Sequence, residues 1–316
     1  MQSTKFPKPL LVLVGPTAVG KTELSLELAE LLDGEIVSAD SRLFYQGMDI
    51  GTAKPGSAER ARVPHHLIDI AKPDEIWNLA LFQLKAAETI DEIHHRGKLP
   101  LLVGGTGQYV RAVIENWKGS AQSPNLALRS YLSQWVEEIG STGLHQKLAL
   151  LDPAAAASID PKNIRRTIRA MEVTLCTGRR FSAQKERGKS PYSLLLIGLN
   201  RSREELYKRI DARIEAMVNG GLLEEVRNLL AQGYDRHLPS MSAIGYNEMA
   251  AVLAGEMTFE QAVIQMKRLT RTFVRRQANW FKVNDPSIHW FQADSVSATE
   301  IAEYVQSGQG WITPQD

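Results

Sequence analysis

A lysine, a threonine and two glycines near the start of the chain have the spacing of a phosphate-binding loop. The segment Gly15-Pro16-Thr17-Ala18-Val19-Gly20-Lys21-Thr22 has the form G-x-x-x-x-G-K-T. The two glycines let backbone N–H groups turn toward phosphate oxygens, Lys21 brings a positive charge, and Thr22 offers a hydroxyl to Mg²⁺. We predict that residues 15–22 cradle a diphosphate or a nucleoside triphosphate. Kinases, ATPases and diphosphate-using transferases all fit such a cradle.

The carboxylate of Asp40 is the second candidate group. It ends the short strand-like segment 34–41. Since ligands bind beyond the carboxyl ends of parallel strands, Asp40 should lie beside the phosphate-binding loop. There it could act as a general base or as a partner in the outer shell of Mg²⁺. It could equally be an N-cap or turn residue, and both interpretations stay open at this point.

The elements that must position these groups alternate between strand and helix. An apolar run, residues 10–14, precedes the loop, and a helical pattern, residues 23–32, follows it. Further apolar runs at 98–103 and 193–200 also adjoin helical segments. This alternation predicts an α/β fold in which the loop and Asp40 lie at one edge of a parallel sheet.

The strand at 98–103 ends in glycines where an acid is common. Val103 is followed by Gly104-Gly105-Thr106-Gly107. A P-loop ATPase usually places an acid here to order Mg²⁺ or water, so its absence argues against water-activated ATP hydrolysis. The glycines and the Thr106 hydroxyl indicate close approach of a ligand, and a simple tight turn is the alternative.

A helical insertion interrupts the core. Strand signals are absent between residues 114 and 191, where helical segments are separated by Gly and Pro. We therefore divide the chain into a catalytic core, 1–113 and 192–316, and an inserted all-helical domain, 114–191. Three arginines (165, 166 and 169) share one quadrant of a helix in this insertion. They form either a phosphate-contacting patch or an ordinary solvated face.

The long helix that begins at Thr258 has a second basic face. Lys267, Arg268, Arg271 and Arg275 fall within about a 100° arc, and apolar residues lie opposite them. This face is the best candidate for a polyanion contact outside the loop. An ordinary amphipathic helix is the alternative.

The composition is that of a globular protein without disulfides. The 316 residues are 43% hydrophobic, and a net charge of +1 means that a nucleic acid would have to bind to local patches. The single cysteine, Cys176, excludes an intrachain disulfide and a Cys-rich zinc site. The pairs His65-His66 and His94-His95 are poorly spaced for one shared metal ion. No signal peptide or membrane span is evident, and we expect a cytoplasmic protein.

Taken together, these segments resemble the tRNA dimethylallyltransferases (tRNA isopentenyltransferases). The block from Asp40 to Pro55 is the most specific, and the resemblance spans nearly the whole chain. We expect the bacterial type, because eukaryotic members often add a C-terminal zinc finger. The matching segments are residues 15–22, 38–41, 45–55, 64–69, 102–109, 169–173, 244–246 and 275–280.

The resemblance implies a P-loop NTPase-like parallel core and a defined reaction. A dimethylallyl group moves from dimethylallyl diphosphate to N6 of the adenosine 3′ of the anticodon (position 37), and diphosphate is released. The implied partners are the tRNA anticodon stem-loop and dimethylallyl diphosphate, with Mg²⁺ as cofactor. We expect a monomer that does not bind a membrane.

The resemblance also implies a role for individual residues. Asp40 would be the general base, Thr17 would hydrogen-bond near the allyl diphosphate or Asp40, and Arg209 would stabilise the diphosphate. The diphosphate-binding residues would be Gly15, Pro16, Thr17, Ala18, Val19, Gly20, Lys21 and Thr22, with Thr22 also a metal ligand. The tRNA-binding residues would be Asp40, Ser41, Arg42, Leu43, Thr106, Gln108, Arg165, Arg166, Arg169, Ser242, Gly245, Tyr246 and Asn247.

Three other functions share parts of this pattern. A P-loop small-molecule kinase would use ATP and would not need the basic C-terminal helix. An adenylate isopentenyltransferase acting on free AMP would need the cradle and Asp40 but not the insertion. A nucleotide-dependent RNA-binding module would need no chemistry at Asp40.

Overall fold

The computed structural model describes residues 6–118, 124–184 and 186–314. The predicted domain limits also take in residues 1–5, 119–123, 185 and 315–316, which lie outside the described residues. The chain forms two compact units, residues 1–114 with 190–316, and residues 115–189. The first unit contains the predicted phosphate-binding loop and Asp40, and the second contains the three arginines of the insertion.

The strands of the described residues form one large sheet and one small ribbon. They are β1 (Pro9–Val14), β2 (Gly34–Ser38), β3 (His65–His66), β4 (Leu99–Gly104), β5 (Trp117–Lys118), β6 (Glu186–Arg187), β7 (Ser193–Asn200) and β8 (Ile288–Gln292). The large sheet has the order β3-β2-β4-β1-β7-β8, and all of its neighbouring strands are parallel. The predicted α/β fold with a parallel core is confirmed.

Helices alternate with these strands along the chain. They are α1 (Lys21–Leu31), α2 (Ser57–Arg62), α3 (Leu79–His95), α4 (Gly107–Ile114), α5 (Leu126–Leu151), α6 (Pro153–Ser158), α7 (Ile164–Thr177), α8 (Arg203–Asn219), α9 (Leu222–Ala231), α10 (Tyr246–Leu253), α11 (Phe259–Gln277) and α12 (Ala298–Ser307). None of the helices in the described ranges is long and apolar enough to cross a membrane.

The continuous apolar sequence of β1 follows from burial on both faces of the sheet. Leu11 and Leu13 pack into a cluster with α1, α8 and α12, whereas Leu10, Val12 and Val14 pack with α3 and α4 on the other side. A parallel strand covered on both faces reads as an unbroken apolar run, which explains why the sequence predicts it well.

The register of the sheet brings three strand ends together. Val14, the last residue of β1, is paired with Gly104 at the end of β4 and with Gly198 near the end of β7. The loop 15–22 that follows β1 therefore lies between the segments that follow β4 and β7. This carboxyl edge is where a parallel α/β sheet binds its ligands.

The second unit has its own small core, formed where α5, α6 and α7 meet. Leu132, Leu144, Leu148 and Met171 are buried there. Gly140, with φ of 73°, interrupts α5 with a kink. The antiparallel pair β5–β6 also belongs to this unit, so the insertion is mostly, not entirely, helical. Strands of two residues are too short to leave a periodic signal in the sequence.

The glycines at and after the end of β4 allow other protein segments to approach closely. A Cβ on Gly104 would lie 2.6 Å from the Ala39 carbonyl oxygen. On Gly105 it would collide with the Gln277 amide, and on Gly107 with the Trp280 ring. The close neighbours belong to the residue after β2, to the end of α11 and to the turn that follows α11. Gly104 and Gly105 also line a cavity, so close approach of a ligand there stays a prediction.

Candidate active site

The loop 15–22 adopts a conformation that depends on its glycines. Gly15 has φ of 152°, and a Cβ there would lie 2.7 Å from the Leu199 carbonyl oxygen. Gly20 has φ of 113° and precedes the first residue of α1. L-residues with a side chain rarely adopt such backbone angles. The predicted strand, loop and helix N-terminus are therefore present in the arrangement that binds anions.

Lys21 lies over this loop. Its Nζ donates hydrogen bonds to the carbonyl oxygens of Gly15 and Pro16, each at 2.9 Å. Burial lowers the pKa of Lys21 from 10.5 to about 8, and the negative charge of Asp40 partly opposes this shift. Lys21 is therefore charged at neutral pH, and an arriving phosphate would compete with the two carbonyl oxygens for its protons.

Asp40 combines both interpretations of its sequence position. It follows β2, and its Oδ1 accepts a hydrogen bond of 3.1 Å from the Arg42 backbone N–H, as a turn residue does. The same side chain lines a cavity of about 670 Å³ together with Lys21 and Thr22. A turn that fixes one carboxylate oxygen thereby orients the group toward the cavity.

The cavity is lined by both charged and apolar residues. The charged and polar lining includes Lys21, Thr22, Asp40, Arg209 and Arg213, together with Glu23, Glu59, Arg62 and His65. The apolar lining comes from Leu26, Ile36, Leu43, Ile68 and Val103. The volume lies within the range of small-molecule sites, and the lining suits a molecule with phosphates at one end and a short hydrocarbon at the other.

Helix α8 contributes two arginines to this cavity, of which the sequence analysis assigned a role to one. Arg209 donates from Nε to the Ala18 carbonyl oxygen at 2.7 Å, which ties α8 to the phosphate-binding loop. Arg213 lies one helical turn further along and donates from Nη2 to the Thr52 carbonyl oxygen at 3.1 Å. Burial lowers the pKa of Arg213. The i, i+4 spacing was the available sequence signal.

Gln277 is a second residue that the sequence analysis left without a role. Its Oε1 accepts a hydrogen bond of 2.9 Å from the Thr17 backbone N–H, and its Nε2 donates to the Gly105 carbonyl oxygen at 3.0 Å. The side chain is buried. It therefore joins the end of α11 to the phosphate-binding loop and to the turn after β4.

Two of the predicted tRNA-binding residues contact each other. Arg42 donates from Nη1 to the carbonyl oxygens of Pro239 and Ser240, at 3.0 and 3.3 Å, and from Nη2 to the Ser242 hydroxyl at 3.4 Å. The segments after β2 and before α10 thus meet. Further predicted contacts with exposed or partly exposed side chains are Ser41, Leu43, Thr106, Gln108 and Asn247.

The structure corrects the role predicted for Gly245 and Tyr246. Tyr246 is fully buried, and its hydroxyl donates to Glu225 Oε1 at 2.5 Å. Gly245 is also buried, and its N–H donates to Glu248 at 2.7 Å. Neither residue presents a surface to RNA. They shape the start of α10, and α10 in turn supports the loop that contains Asp49.

Two of the four residues of the basic face predicted on α11 form ion pairs with α8. Lys267 forms an ion pair with Glu215 at 2.7 Å, and Arg271 forms one with Asp211 at 2.6 Å. These two residues therefore join the two helices, and a polyanion contact by the basic face of α11 stays a prediction. The predicted apolar face is also only partly buried, since Phe273 is 40% exposed.

The three arginines of the insertion differ in their surroundings. Arg165 and Arg166 are exposed near the start of α7. Arg169 forms an ion pair at 2.6 Å with the fully buried Glu172, which Arg129 also contacts at 2.9 Å. Arg169 thus has a structural role within its unit, and any contact of these residues with tRNA stays a prediction.

Comparisons with known proteins agree with these features. The IPP transferase family model matches residues 43–284. The tRNA dimethylallyltransferase of Roseiflexus castenholzii is 52% identical over 297 residues, which cover 94% of this chain and 97% of that protein. That of Pelotomaculum thermopropionicum is 45% identical over 302 residues, covering 95% of this chain and 96% of that protein.

Solved structures lead to the same family. The full-length tRNA isopentenylpyrophosphate transferase of Bacillus halodurans is 44% identical, with a TM-score of 0.71, and the match covers 95% of this chain and 96% of that chain. A eukaryotic dimethylallyltransferase solved while acting on tRNA shares the fold, with a TM-score of 0.77 at 24% identity over 95% of this chain and 80% of that chain. The resemblance found in the sequence is confirmed, and the chain belongs to the IPP transferase family.

Proposed function

We propose that this protein transfers a dimethylallyl group from dimethylallyl diphosphate to N6 of the adenosine 3′ of the tRNA anticodon (position 37). The observation that carries the proposal is the cavity that Lys21, Arg209, Arg213 and Asp40 line together with apolar side chains such as Leu26, Ile36 and Leu43. The names of the relatives supply the reaction class and the RNA substrate. The proposed site of action is the cytoplasm, and the proposed state is a monomer.

The residues of the cavity would act on two different groups, the leaving diphosphate and the adenine N6 amine. Lys21, Arg209 and Arg213 would stabilise the negative charge that grows on the diphosphate as the allylic C–O bond breaks. The adenine N6 amine forms the new C–N bond with its lone pair, and its proton passes to Asp40. This amine is a weak nucleophile, because its lone pair is delocalised into the ring. Positioning and proton removal are therefore both needed.

The residues present fit a magnesium ion held mainly by the substrate. Among the described residues, no group of three or more His, Cys, Asp or Glu side chains could hold a metal ion. Mg²⁺ usually keeps several waters and takes one or two protein oxygens besides phosphate oxygens. The Thr22 hydroxyl lines the cavity beside Lys21 and would be the protein ligand. The ion would supply further positive charge to the leaving diphosphate.

The RNA side of the reaction would use the segments around Arg42 and Ser242. A base inside a stacked loop is out of reach, so the target adenosine must leave its stack to enter the cavity. We propose Ser41, Arg42, Leu43, Thr106, Gln108, Ser242 and Asn247 as contacts on this side. Gly245 and Tyr246 are not included, because both are buried.

The experiment that tests the function compares two acceptors. The protein is incubated with Mg²⁺, dimethylallyl diphosphate and either unmodified tRNA with adenosine 3′ of its anticodon or free AMP. The tRNA is then digested to nucleosides, which are analysed by mass spectrometry. We expect a five-carbon gain on adenosine from tRNA only. A gain on AMP indicates an adenylate isopentenyltransferase, and turnover of ATP without a gain indicates a kinase.

Replacement of Arg165 tests the proposed role of the insertion. Arg165→Ala should weaken tRNA binding about 3- to 10-fold and reduce the salt dependence of binding by about one phosphate contact, because Arg165 is exposed and would contact the RNA backbone. The affinity for dimethylallyl diphosphate should not change. Lys85→Ala, which removes an exposed charge from α3, is the control. Equal losses for both ligands in binding titrations would refute this division.

A further inference from the structure

Glu225 holds a turn of the backbone, and the roles proposed above do not account for these contacts. Its Oε2 accepts hydrogen bonds from the backbone N–H groups of Asp49 and Ile50, at 3.0 and 2.7 Å. Its Oε1 accepts from the N–H of Gly51 at 3.2 Å and from the Tyr246 hydroxyl at 2.5 Å. Four donors therefore converge on one carboxylate, and three of them are consecutive amides of a single turn.

This turn, residues 48–52, is closed at its other end as well. The Thr52 hydroxyl donates to the Met48 carbonyl oxygen at 2.7 Å. The Thr52 carbonyl oxygen accepts the 3.1 Å hydrogen bond from Arg213. The amide end of the turn thus faces a carboxylate and the carbonyl end faces a guanidinium, the arrangement that favours a helical turn electrostatically.

Close packing fixes the turn against α9 and α10. A Cβ on Gly51 would lie 2.5 Å from the Tyr246 ring and 2.8 Å from the Leu222 side chain, both of which are fully buried. The turn has no room to shift toward these helices. Its position relative to Arg213 is therefore determined by the groups that hold it, which include Glu225 and, through Asp49, Lys54.

Arg213 is the point at which this arrangement meets the cavity. Its guanidinium lines the cavity with Lys21 and Asp40. A partly buried cation needs well-placed acceptors to stay in one position, and the Thr52 carbonyl oxygen supplies one. A movement of the turn would displace this acceptor and with it the guanidinium.

We propose that Glu225 and Tyr246 are positioning residues, which hold the turn 48–52 so that the Thr52 carbonyl oxygen fixes Arg213 beside the leaving diphosphate. The proposal rests on the proposed transferase function. Neither Glu225 nor Tyr246 lines the cavity, so both act through the turn and through Arg213. The sequence 45–55 would then be so specific because it must fit Glu225, Tyr246 and Arg213 at once.

Glu225→Gln is the sharpest test, because an amide has one acceptor atom where the carboxylate has two. With either orientation of the amide, at least one backbone N–H of the turn faces the side-chain NH₂ group of the glutamine, so that two donors oppose each other. We expect the rate constant of a single turnover with tRNA and dimethylallyl diphosphate to fall about 10- to 30-fold, since small displacements of a charged group in a reactive site are costly. KM for dimethylallyl diphosphate should change less than about threefold, because the loop 15–22 is untouched.

Two further readouts separate positioning from a loss of folded protein. The single-turnover rate constant does not depend on the fraction of active enzyme. Partial unfolding therefore lowers only the amplitude of the product signal. Hydrogen exchange at the amides of 49–51 should become at least about tenfold faster in Glu225→Gln. Glu224→Gln changes the neighbouring exposed carboxylate, which pairs with Arg227, and should behave like the wild type.

The outcomes distinguish this proposal from the proposed function. A Glu225→Gln rate constant within twofold of wild type overturns the positioning role. A wild-type protein without transfer overturns the proposed function instead, and the exchange rates then still decide whether Glu225 holds the turn. If Glu225→Gln does not fold, Tyr246→Phe removes one of the four donors without loss of packing. It should lower the same rate constant about threefold, and an unchanged rate constant would count against the proposal.

Discussion

Asp40→Asn is expected to lower the rate constant for transfer to tRNA by about 10²- to 10⁴-fold, the range of a lost general base. The asparagine side chain keeps the acceptor for the Arg42 backbone N–H, so the turn after β2 should survive. What disappears is the group that takes the proton from N6. Single-turnover kinetics with saturating dimethylallyl diphosphate measure this step directly.

The control for this variant lies at the other end of the same strand. Asp33 precedes β2, is exposed and has φ of 52°, a conformation that asparagine also adopts. Asp33→Asn removes the same charge without touching the cavity and should transfer at the wild-type rate. If Asp40→Asn transferred at an undiminished rate as well, Asp40 would not be the base, and its turn role alone would explain its position.

Lys21→Met should lower kcat/KM for dimethylallyl diphosphate about 10²- to 10³-fold. The substitution removes a buried positive charge whose only hydrogen-bond acceptors in the described structure are two carbonyl oxygens of its own loop. Binding of diphosphate alone, measured by calorimetry, should weaken in parallel. Wild-type affinity for diphosphate in Lys21→Met would exclude a phosphate contact by this side chain. Lys85→Met is the matched surface control.

The lowered pKa of Lys21 adds a pH dependence to this prediction. In the free protein Lys21 loses its proton near pH 8, whereas diphosphate binds best to the charged form. The affinity for diphosphate should therefore decrease between about pH 7.5 and 9.5, approaching tenfold per pH unit above the pKa. Lys21→Met should show a flat profile over this range, and a wild-type profile as flat as that of the variant would contradict the assignment.

The lowered pKa of Lys21 affects folding stability in the opposite direction from diphosphate affinity. The pKa of Lys21 is lower in the folded chain than the ordinary 10.5, so between about pH 8 and 10.5 the unfolded chain binds more protons. The contribution of this group to the free energy of unfolding therefore rises with pH in that window. Bound diphosphate should reduce this rise, because it favours the protonated lysine.

The parts of the fold that were predicted correctly are those with strong local signals. The strand β1, the loop 15–22 and helix α1 follow from an apolar run, a glycine pattern and helical spacing. The pair β5–β6 has two residues in each strand, which is too few for a period. Their pairing is decided by tertiary contacts that the local sequence does not encode.

The same distinction applies to the candidate site. Lys21 and Asp40 were identified because each follows a strand whose end can be recognised. Gln277 was missed because its partners, Thr17 and Gly105, are 260 and 172 residues away in the chain. The ion pairs of α11 were missed for a similar reason: a helical projection shows that Lys267 and Arg271 share a face but not that α8 supplies acids opposite them.

The contact between Gln277 and the phosphate-binding loop has a consequence for biosynthesis. The ribosome makes the loop among the first residues, but the side chain that accepts the Thr17 N–H is added 260 residues later. β7 pairs with the whole length of β1, and it is also synthesised only after the inserted unit. A nascent chain released before α11 would therefore carry the complete loop sequence without its finished geometry, and we expect such fragments not to retain diphosphate.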